Sequence, residues 1–381
     1  MKNVEALHKE EYGAPPQLVA VAPGIAHILG EHTEITGGLA MPFALNRGVG
    51  FAVSQRKDNS LRFFAADYNE RKRTSIANIK YKREDRWANY LKGVISGFLG
   101  AGYVVKGLDI TLTGDVPAGI GLGSSAALTV AAAFGIKNLL GFSLSDRQLV
   151  DFAWKAETGF MGMQTGAIES FASFLCRKKQ ALFLDTNYLE YRYVPLGIKG
   201  AKFLITDSQI PRVVGGEDLS VQKEDYQRSL ELLGRRRPGA TLKDYSPKDI
   251  RESIGILPEN LRRRCLHVVE ENARVREAEE ILRSRGKLEN LGKIMTRSHE
   301  SLRDLLEVSC PEFDWLVKRS AETEGVYGSR LTGAGYGRCT ITLIQENAIP
   351  EYEKRLEEYE RIFGFKASVF VCEPSGGVKL L

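Results

Sequence analysis

Cysteine is scarce in this sequence: five cysteines occur in 381 residues, far apart and without the paired spacing of metal ligands. This odd, dispersed set excludes a disulfide-rich scaffold and predicts free, mostly buried thiols in a reducing compartment. No run approaches the roughly 18 apolar residues that a membrane span requires. Residues 1–10 also lack the apolar centre of a secretory signal. We therefore expect a cytoplasmic protein with no membrane partner.

The chain also lacks a large excess of either charge, because 53 basic residues stand against 48 acidic ones for a net charge of +5. That balance permits anionic small-molecule ligands and gives no indication of nucleic-acid binding. Two runs of three arginines, at 235–237 and 262–264, are interpreted as a solvated loop and a solvated helix start rather than as phosphate sites. We expect a monomer whose partners are small molecules.

Strand-like and helix-like patterns interleave along the whole chain, which predicts an α+β protein of two halves, 1–205 and 206–381. The first strand is expected to stop at Pro23-Gly24, and Tyr327 is expected to open a glycine-rich turn. Ser145, followed by Gln148, has the pattern of a helix N-cap. The predicted strands are 17–22, 48–55, 60–66, 108–113, 339–344 and 367–372, and the predicted helices are 87–99, 124–140, 145–157, 220–233, 261–285 and 351–363.

The most informative segment is the glycine–serine loop at 114–127, which a predicted strand enters and a long apolar helix leaves. Glycines at alternate positions, 119, 121 and 123, let a backbone approach a ligand closely. The following helix start supplies unpaired N–H donors and a positive dipole end, and Ser124 and Ser125 add hydroxyls. These features predict a phosphate cradle without a Walker-type lysine. The alternative is a tight turn with a serine cap.

A known family shows the same loop. Residues 117–126 match the pattern Pro-x-x-x-Gly-Leu-x-Ser-Ser-Ala of the GHMP kinases at every fixed position, and the chain most resembles the galactokinases of that family. The resemblance implies a two-domain α+β GHMP kinase fold with the active site in a cleft between the domains, of which the N-terminal one binds nucleotide and sugar. Further segments resemble galactokinases: 22–24 and 30–33 resemble their N-terminal signature, and 330–337 resembles the third motif of the GHMP kinases. The others are 87–94 and 301–304 with 308–312.

The resemblance also implies an activity: an ATP-dependent kinase that transfers the γ-phosphate of Mg-ATP to a sugar hydroxyl, C1 of galactose in the galactokinases. Ser125 and Glu157 would hold Mg²⁺, and Glu169 would be the catalytic carboxylate. The residues assigned to ATP binding are Trp87, Pro117, Gly119, Gly121, Leu122, Gly123, Ser124, Ser125 and Ala126. Those assigned to sugar binding are Glu31, His32, Glu34, Gly166 and Glu169.

Several positions depart from the family pattern. Glu169 and Glu34 replace aspartates, Ile25 replaces an arginine beside the catalytic carboxylate, Leu219 replaces a tyrosine that packs on the sugar, and Arg338 replaces a glycine of the third motif. Without the arginine, Glu169 could titrate closer to neutrality and suit a general base. Equally, the loss of a cation could cost roughly 3–4 kcal/mol of transition-state stabilisation. Arg338 could return a positive charge near the phosphates.

These departures leave two alternatives open. The chain could be a GHMP kinase for another sugar or a sugar acid, because the changes surround the acceptor. It could also be a catalytically impaired regulator that binds ATP and sugar, because the nucleotide loop is intact while the acceptor positions have changed.

Overall fold

The computed structural model describes residues 2–211, 219–333 and 338–381, with side chains from residue 222 onward in the second range. Within these ranges the chain forms two β-sheets and the helices that cover them. The strands are β1 Leu18–Leu29, β2 Leu39–Gln55, β3 Ser60–Ala65, β4 Glu70–Ser75, β5 Leu108–Gly114, β6 Gln180–Asp185, β7 Glu190–Pro195, β8 Ala201–Asp207, β9 Val326–Thr332, β10 Cys339–Gln345, β11 Ser368–Cys372 and β12 Lys379–Leu380. The helices are α1 Val4–Tyr12, α2 Ala88–Gly100, α3 Ser124–Leu140, α4 Asp146–Lys155, α5 Ile168–Leu175, α6 Leu219–Gly234, α7 Pro247–Arg251, α8 Glu259–Arg283, α9 Leu288–Asp304, α10 Pro311–Ala321 and α11 Ile349–Phe363.

The first sheet is organised around β2, which pairs antiparallel with β1, β5 and β6. Its strand order is β12-β1-β2-β5-β3-β4, and β7 joins through β6. Helix α3 packs on this sheet against β1 and β2 and is buried along most of its length. A helix that is apolar on nearly all sides belongs to the protein interior, so its N-terminal end is held firmly at the sheet.

The second sheet has the order β11-β8-β10-β9 with all pairs antiparallel. One apolar core is shared between the sheets, where Phe43 of β2 stacks on Phe203 of β8 with ring centroids 5.1 Å apart. Strand β12 returns to the first sheet and pairs with β1. The two-domain α+β architecture expected from the sequence is therefore present, and its two parts share one continuous interior.

The helices nearest the glycine–serine loop follow their sequence patterns closely. Helix α3 has the predicted bounds, and Ser145 and Gln148 form the reciprocal capping box of α4. The sequence predicted one helix over 145–157. In the structure α4 ends at Lys155, and a single π-helical turn, Ala156–Phe160, follows it.

Two expectations about strands were wrong. Strand β1 does not stop at Pro23-Gly24 but continues to Leu29 through a register shift after Pro23, because a bulge accommodates a proline without an N–H donor. The expected turn at Tyr327 is strand β9. Its Gly328 lies against Gly292 of α9: a Cβ on Gly328 would lie 2.0 Å from the Gly292 carbonyl oxygen, and a Cβ on Gly292 would lie 2.0 Å from the Tyr327 carbonyl oxygen. That glycine serves close helix–strand packing rather than a turn.

The arginines at 235–237 are exposed, as expected, whereas those at 262–264 are half-buried rather than fully solvated. In the run 262–264 each arginine pairs with a carboxylate, and Arg237 pairs with Asp249. All five cysteines are free, and only Cys310 is not buried. Among the described residues, no helix combines the length and apolar character needed to cross a bilayer.

Candidate active site

The glycine–serine loop joins β5 to α3 and forms one wall of a cleft of about 450 Å³. Gly119, Gly121 and Gly123 line this cleft with φ values of 75°, 85° and 64°, a conformation that glycine adopts without steric cost. The intervening Ile120 and Leu122 are buried. The alternation anchors the loop through its apolar side chains and leaves the glycine backbone at the cleft.

The loop is fastened to β1 beside Gly24. The Ile25 N–H donates to the Leu122 carbonyl at 3.0 Å, and a Cβ on Gly24 would lie 2.8 Å from the same oxygen. Helix α3 begins at Ser124, and Ser124 and Ser125 line the cleft. The unpaired N–H groups of the first helical turn, its positive dipole end and two hydroxyls therefore meet in one place, which suits a chain of phosphates.

Aromatic side chains line another part of the cleft. Trp87 and Tyr90 lie there with Leu112. The Trp87 Nε1–H donates to Glu70 Oε2 at 2.9 Å, and the Tyr90 hydroxyl donates to Met163 Sδ at 3.2 Å. Apolar walls held in place by a few polar contacts are typical of small-molecule sites, and aromatic faces of this kind suit a purine ring.

Glu157 lies on the π-helical turn after α4, and only 2% of it is exposed. Burial raises the pKa of Glu157 to about 7, while the nearby Ser125 hydroxyl opposes the rise and the charge of Glu169 adds to it. Its Oε1 atom is buried without a hydrogen-bond partner. A carboxylate oxygen in need of a partner and a serine hydroxyl fit Mg²⁺, which takes few protein oxygens and keeps water and phosphate as its other ligands. Inserted π turns are frequent at functional sites.

Glu169 lies in the first turn of α5, and its partly exposed side chain lines the cleft. The buried Ile25 and Glu169 flank the same glycine: a Cβ on Gly123 would lie 3.0 Å from Ile25 Cγ1 and 3.7 Å from Glu169 Cβ. His27 also approaches the carboxylate, with Nε2 3.8 Å from Glu169 Oε1. Ile25 thus lies near the carboxylate, as expected from the family pattern.

Glu34 reaches the N-terminus of α5. Its Oε1 accepts a hydrogen bond from the Ile168 N–H at 3.0 Å. Burial, and after it the charge of Glu169, raises the pKa of Glu34 to about 8. A Cβ on Gly166 would lie 1.6 Å from the Glu34 carboxylate, so the glycine provides the space for it. Glu34 therefore caps the helix that carries Glu169.

A Gly166→Ala substitution is expected to displace the Glu34 carboxylate and to lower the free energy of unfolding by about 2 kcal/mol, the cost of a lost helix cap together with a local clash. Urea unfolding followed by circular dichroism measures the change. Gly197→Ala is the matched control, because a Cβ there meets nothing within 4 Å. Equal stability of the two variants would contradict this role of Gly166.

Glu31 connects the two parts of the molecule. Its Oε1 accepts hydrogen bonds from Thr332 Oγ1 at 3.1 Å and from the Gly333 N–H at 3.0 Å, and Arg330 Nη2 lies 3.3 Å away. Glu31 and Arg330 are almost completely buried. Because Gly333 also lines the cleft, Glu31 joins the N-terminal signature to the third motif at the edge of the site.

His32 has a left-handed backbone, with φ of 58°, which is costly for a residue with a Cβ. Its Nε2 atom is buried without a hydrogen-bond partner, and burial lowers the pKa of its imidazole. Strained backbone clusters at active sites and ligand clamps, and a buried polar atom without a partner in the protein is able to bond a ligand. A neutral imidazole can donate to or accept from a polyol hydroxyl.

The cleft brings together most of the residues assigned from the sequence and leaves others beside it. Of the sugar-binding set, Glu31, His32, Glu34 and Gly166 do not line the cleft, and neither does Pro117 of the ATP-binding set. The assigned residues that do line it are Trp87, Gly119, Gly121, Leu122, Gly123, Ser124, Ser125, Ala126, Glu157 and Glu169.

The Arg338 N–H donates to the Ile120 carbonyl at 3.3 Å, whereas its guanidinium lies 3.3 Å from Asp207. The Leu219 side chain and residues 334–337 of the third motif lie outside the described residues. Sequence reasoning missed His27 because the first strand was expected to stop at Pro23-Gly24. Since β1 continues, His27 lies two residues after Ile25 and on the same face of the strand.

Comparison with protein families gives matches along most of the chain. Residues 6–55 match the galactokinase galactose-binding signature, residues 89–177 match the GHMP kinases N terminal domain, and residues 270–361 match the GHMP kinases C terminal domain. The loop, the π-helical turn and α5 all lie within the second of these matches.

Similar proteins extend these matches over nearly the full length. The galactokinase of Thermotoga petrophila is 35% identical over 94% of this chain and 98% of its own, and that of Roseiflexus sp. is 35% identical over 97% and 94%. The crystal structure of Lactococcus lactis galactokinase complexed with galactose superposes with a TM-score of 0.93 at 27% identity, covering 99% of this chain and 98% of that one. This chain belongs to the GHMP kinase family, in the group of the galactokinases.

Proposed function

We propose that this chain transfers the γ-phosphate of ATP to the C1 hydroxyl of galactose. The observation that carries the proposal is a single cleft lined by the glycine–serine loop, Glu157 and Glu169. A phosphate cradle, a metal-binding carboxylate and a proton acceptor are the parts that phosphoryl transfer to an alcohol requires. The aromatic lining at Trp87 and Tyr90 would receive the adenine.

Mg²⁺ belongs to this proposal, with Ser125 and Glu157 as its protein ligands. When bound, the ion neutralises phosphate charge and orients the phosphate oxygens. Glu157 must release its proton to coordinate a cation. Because burial raises the pKa of Glu157 to about 7, a proton competes with the ion below that pH, and Mg²⁺ affinity should rise as the pH increases from 6 to 8.

Glu169 is proposed to accept the proton of the acceptor hydroxyl. The hydroxyl oxygen forms a bond to the γ-phosphorus, the bond from that phosphorus to the β,γ-bridging oxygen breaks, and ADP leaves with the electron pair. Glu31, His32, Glu34 and Gly166 are proposed to position the sugar beside Glu169. Most of the acceleration then comes from alignment and charge stabilisation.

The test is an assay of ADP release by the purified protein with Mg-ATP and a panel of galactose, other hexoses, pentoses and uronic acids. Galactose should give the highest kcat/KM, and omission of Mg²⁺ should abolish turnover. Preference for another sugar or a uronic acid would support the kinase of different specificity. ATP binding by calorimetry without turnover on any sugar would support the non-catalytic regulator.

We also propose that the protein acts as a cytoplasmic monomer.

A further inference from the structure

The carboxylate of Glu169 lacks the arginine that the family pattern places beside it, because Ile25 occupies that position. Within residues 2–211, 219–333 and 338–381, His27 is the only basic residue whose side chain comes within 4 Å of this carboxylate. The two residues are related by the geometry of β1. Ile25, Ala26 and His27 pair in regular register with Ala44, Phe43 and Pro42 of β2.

Residues two apart in a regular strand point to the same face and lie about 7 Å apart. Ile25 packs with Phe171 and Ala172 of α5, whereas Ala26 belongs to the core on the other face of the sheet. His27 therefore approaches Glu169 from the same side of β1 as Ile25 does, one repeat further along the strand.

The surroundings of His27 favour its protonated form. Its side chain is 4% exposed, and neither ring nitrogen has a hydrogen-bond partner. Burial alone would lower the pKa of His27, but the charges of Glu31 and Glu169 outweigh both burial and the opposing charge of Arg330, so the pKa lies above its usual value. Glu34 also interacts with the imidazole. In the part of the chain that the structure describes, the carboxyl groups of Glu31, Glu34 and Glu169 and the guanidinium of Arg330 thus act on the imidazole.

Arg330 fixes the backbone at this point. Its Nη1 donates to the carbonyls of His27 and Ile28, each at 3.1 Å. The guanidinium contacts these carbonyls and Glu31, and none of its nitrogens forms an ion pair within 4 Å of the Glu169 carboxylate. This leaves the imidazole as the cation at the catalytic carboxylate.

We propose that His27, as an imidazolium, is the positioning residue that supplies the positive charge beside Glu169 in place of the arginine absent at Ile25. It acts through Glu169, by keeping the carboxylate directed to the cleft. The inference rests on the proposed function, in which Glu169 accepts the acceptor's proton.

Three variants test the role in turnover: His27→Gln, Ile25→Arg with His27→Gln, and the control His8→Gln. His8 is another buried histidine of the N-terminal half, bound to Thr111 and Ser54. We expect His27→Gln to lower kcat about 100-fold with KM for ATP within twofold, a size typical of lost alignment or proton transfer. The arginine should restore kcat at least tenfold, and His8→Gln should leave kcat unchanged. A kcat of His27→Gln within threefold of wild type, or no recovery with arginine, would overturn the proposal.

A second measurement does not depend on turnover or on a variant of His27. The imidazole of His27 is titrated by NMR in the wild-type protein and in Glu169→Gln. Its titration midpoint should fall by about one pH unit when the carboxylate becomes an amide, and an unchanged midpoint would overturn the pairing. If the His27 midpoint falls in Glu169→Gln as expected but the wild-type protein phosphorylates no sugar, the proposed function is refuted and the pairing of His27 with Glu169 stands.

Discussion

Glu169→Gln is expected to lower kcat for sugar phosphorylation by about 10³-fold while the dissociation constant for ATP changes less than twofold. An amide of the same shape cannot accept the hydroxyl proton, and general-base catalysis contributes typically 10²–10⁴-fold. The glycine–serine loop is untouched by the substitution, so nucleotide binding should persist. Steady-state kinetics with galactose and calorimetry with Mg-ATP give the two quantities.

The control for this result is Glu169→Asp, which keeps the carboxylate and shortens its reach by about 1 Å. A misplacement of that size can cost about 100-fold, so the aspartate variant should retain more activity than the glutamine variant. Combining it with Ile25→Arg, the pair found in the family pattern, should recover turnover further. Undiminished turnover of Glu169→Gln would remove Glu169 from the mechanism.

Glu157→Gln is expected to have opposite effects on activity and on stability. Without the carboxylate, Mg²⁺ loses a ligand, and kcat/KM for ATP should fall at least 100-fold, in line with the loss of a metal-positioning group. In the absence of metal, the variant should be more stable than wild type by about 1–3 kcal/mol at pH 8, because it no longer buries a charged group.

The pH dependence of that difference follows from the raised pKa. Burial raises the pKa of Glu157 from 4.5 to about 7, so between these values the folded protein holds a proton that the unfolded chain releases. Wild-type stability therefore falls as the pH rises through this range, and the advantage of Glu157→Gln should grow from near zero at pH 4.5 to its full size above pH 7. Urea unfolding at pH 5 and pH 8 measures it.

A substitution of the exposed Glu190 to glutamine serves as the matched control, because that carboxylate is solvated on β7. It should change neither stability nor the response to Mg-ATP. Mg-ATP should raise the melting temperature of wild type and of Glu190→Gln but not of Glu157→Gln, since a ligand stabilises only the state that binds it. Equal stabilisation of all three would contradict the assignment of Glu157 to the metal.

The sequence predicted those parts of the fold that local chemistry decides. Helix α3 has its expected ends because left-handed glycines, Gly123 and Gly141, flank it. Two other features depend on residues distant in sequence: the continuation of β1 past Pro23, and the location of Gly328 in a strand rather than in a turn. A loop carbonyl lies against the glycine after Pro23, and another glycine, on α9, lies against Gly328. No local pattern contains that information.

The candidate site likewise has parts that local sequence predicts and parts that depend on residues distant in sequence. The phosphate loop could be identified from ten adjacent residues. The capping of α5 by Glu34 joins residues 134 positions apart, and the Glu31–Gly333 bond joins residues 302 apart. The sequence indicated which residues take part but not that Glu31 and Glu34 bind protein groups. Helix α5 reaches Glu34 by packing on the first sheet, and Gly333 reaches Glu31 from the end of β9 in the second sheet.

The pairing of β12 with β1 has a consequence for how the molecule reaches this state. Lys379 and Leu380 are the outer neighbours of Val21 and Ala20, in the strand that also carries Ile25 and His27. This edge of the first sheet is thus covered by residues that lie more than 350 positions further along the chain and are synthesised last among its strands. Such long-range pairing slows folding and leaves a strand edge exposed meanwhile, so during synthesis the outer edge of β1 stays unpaired until residues 379–380 have left the ribosome.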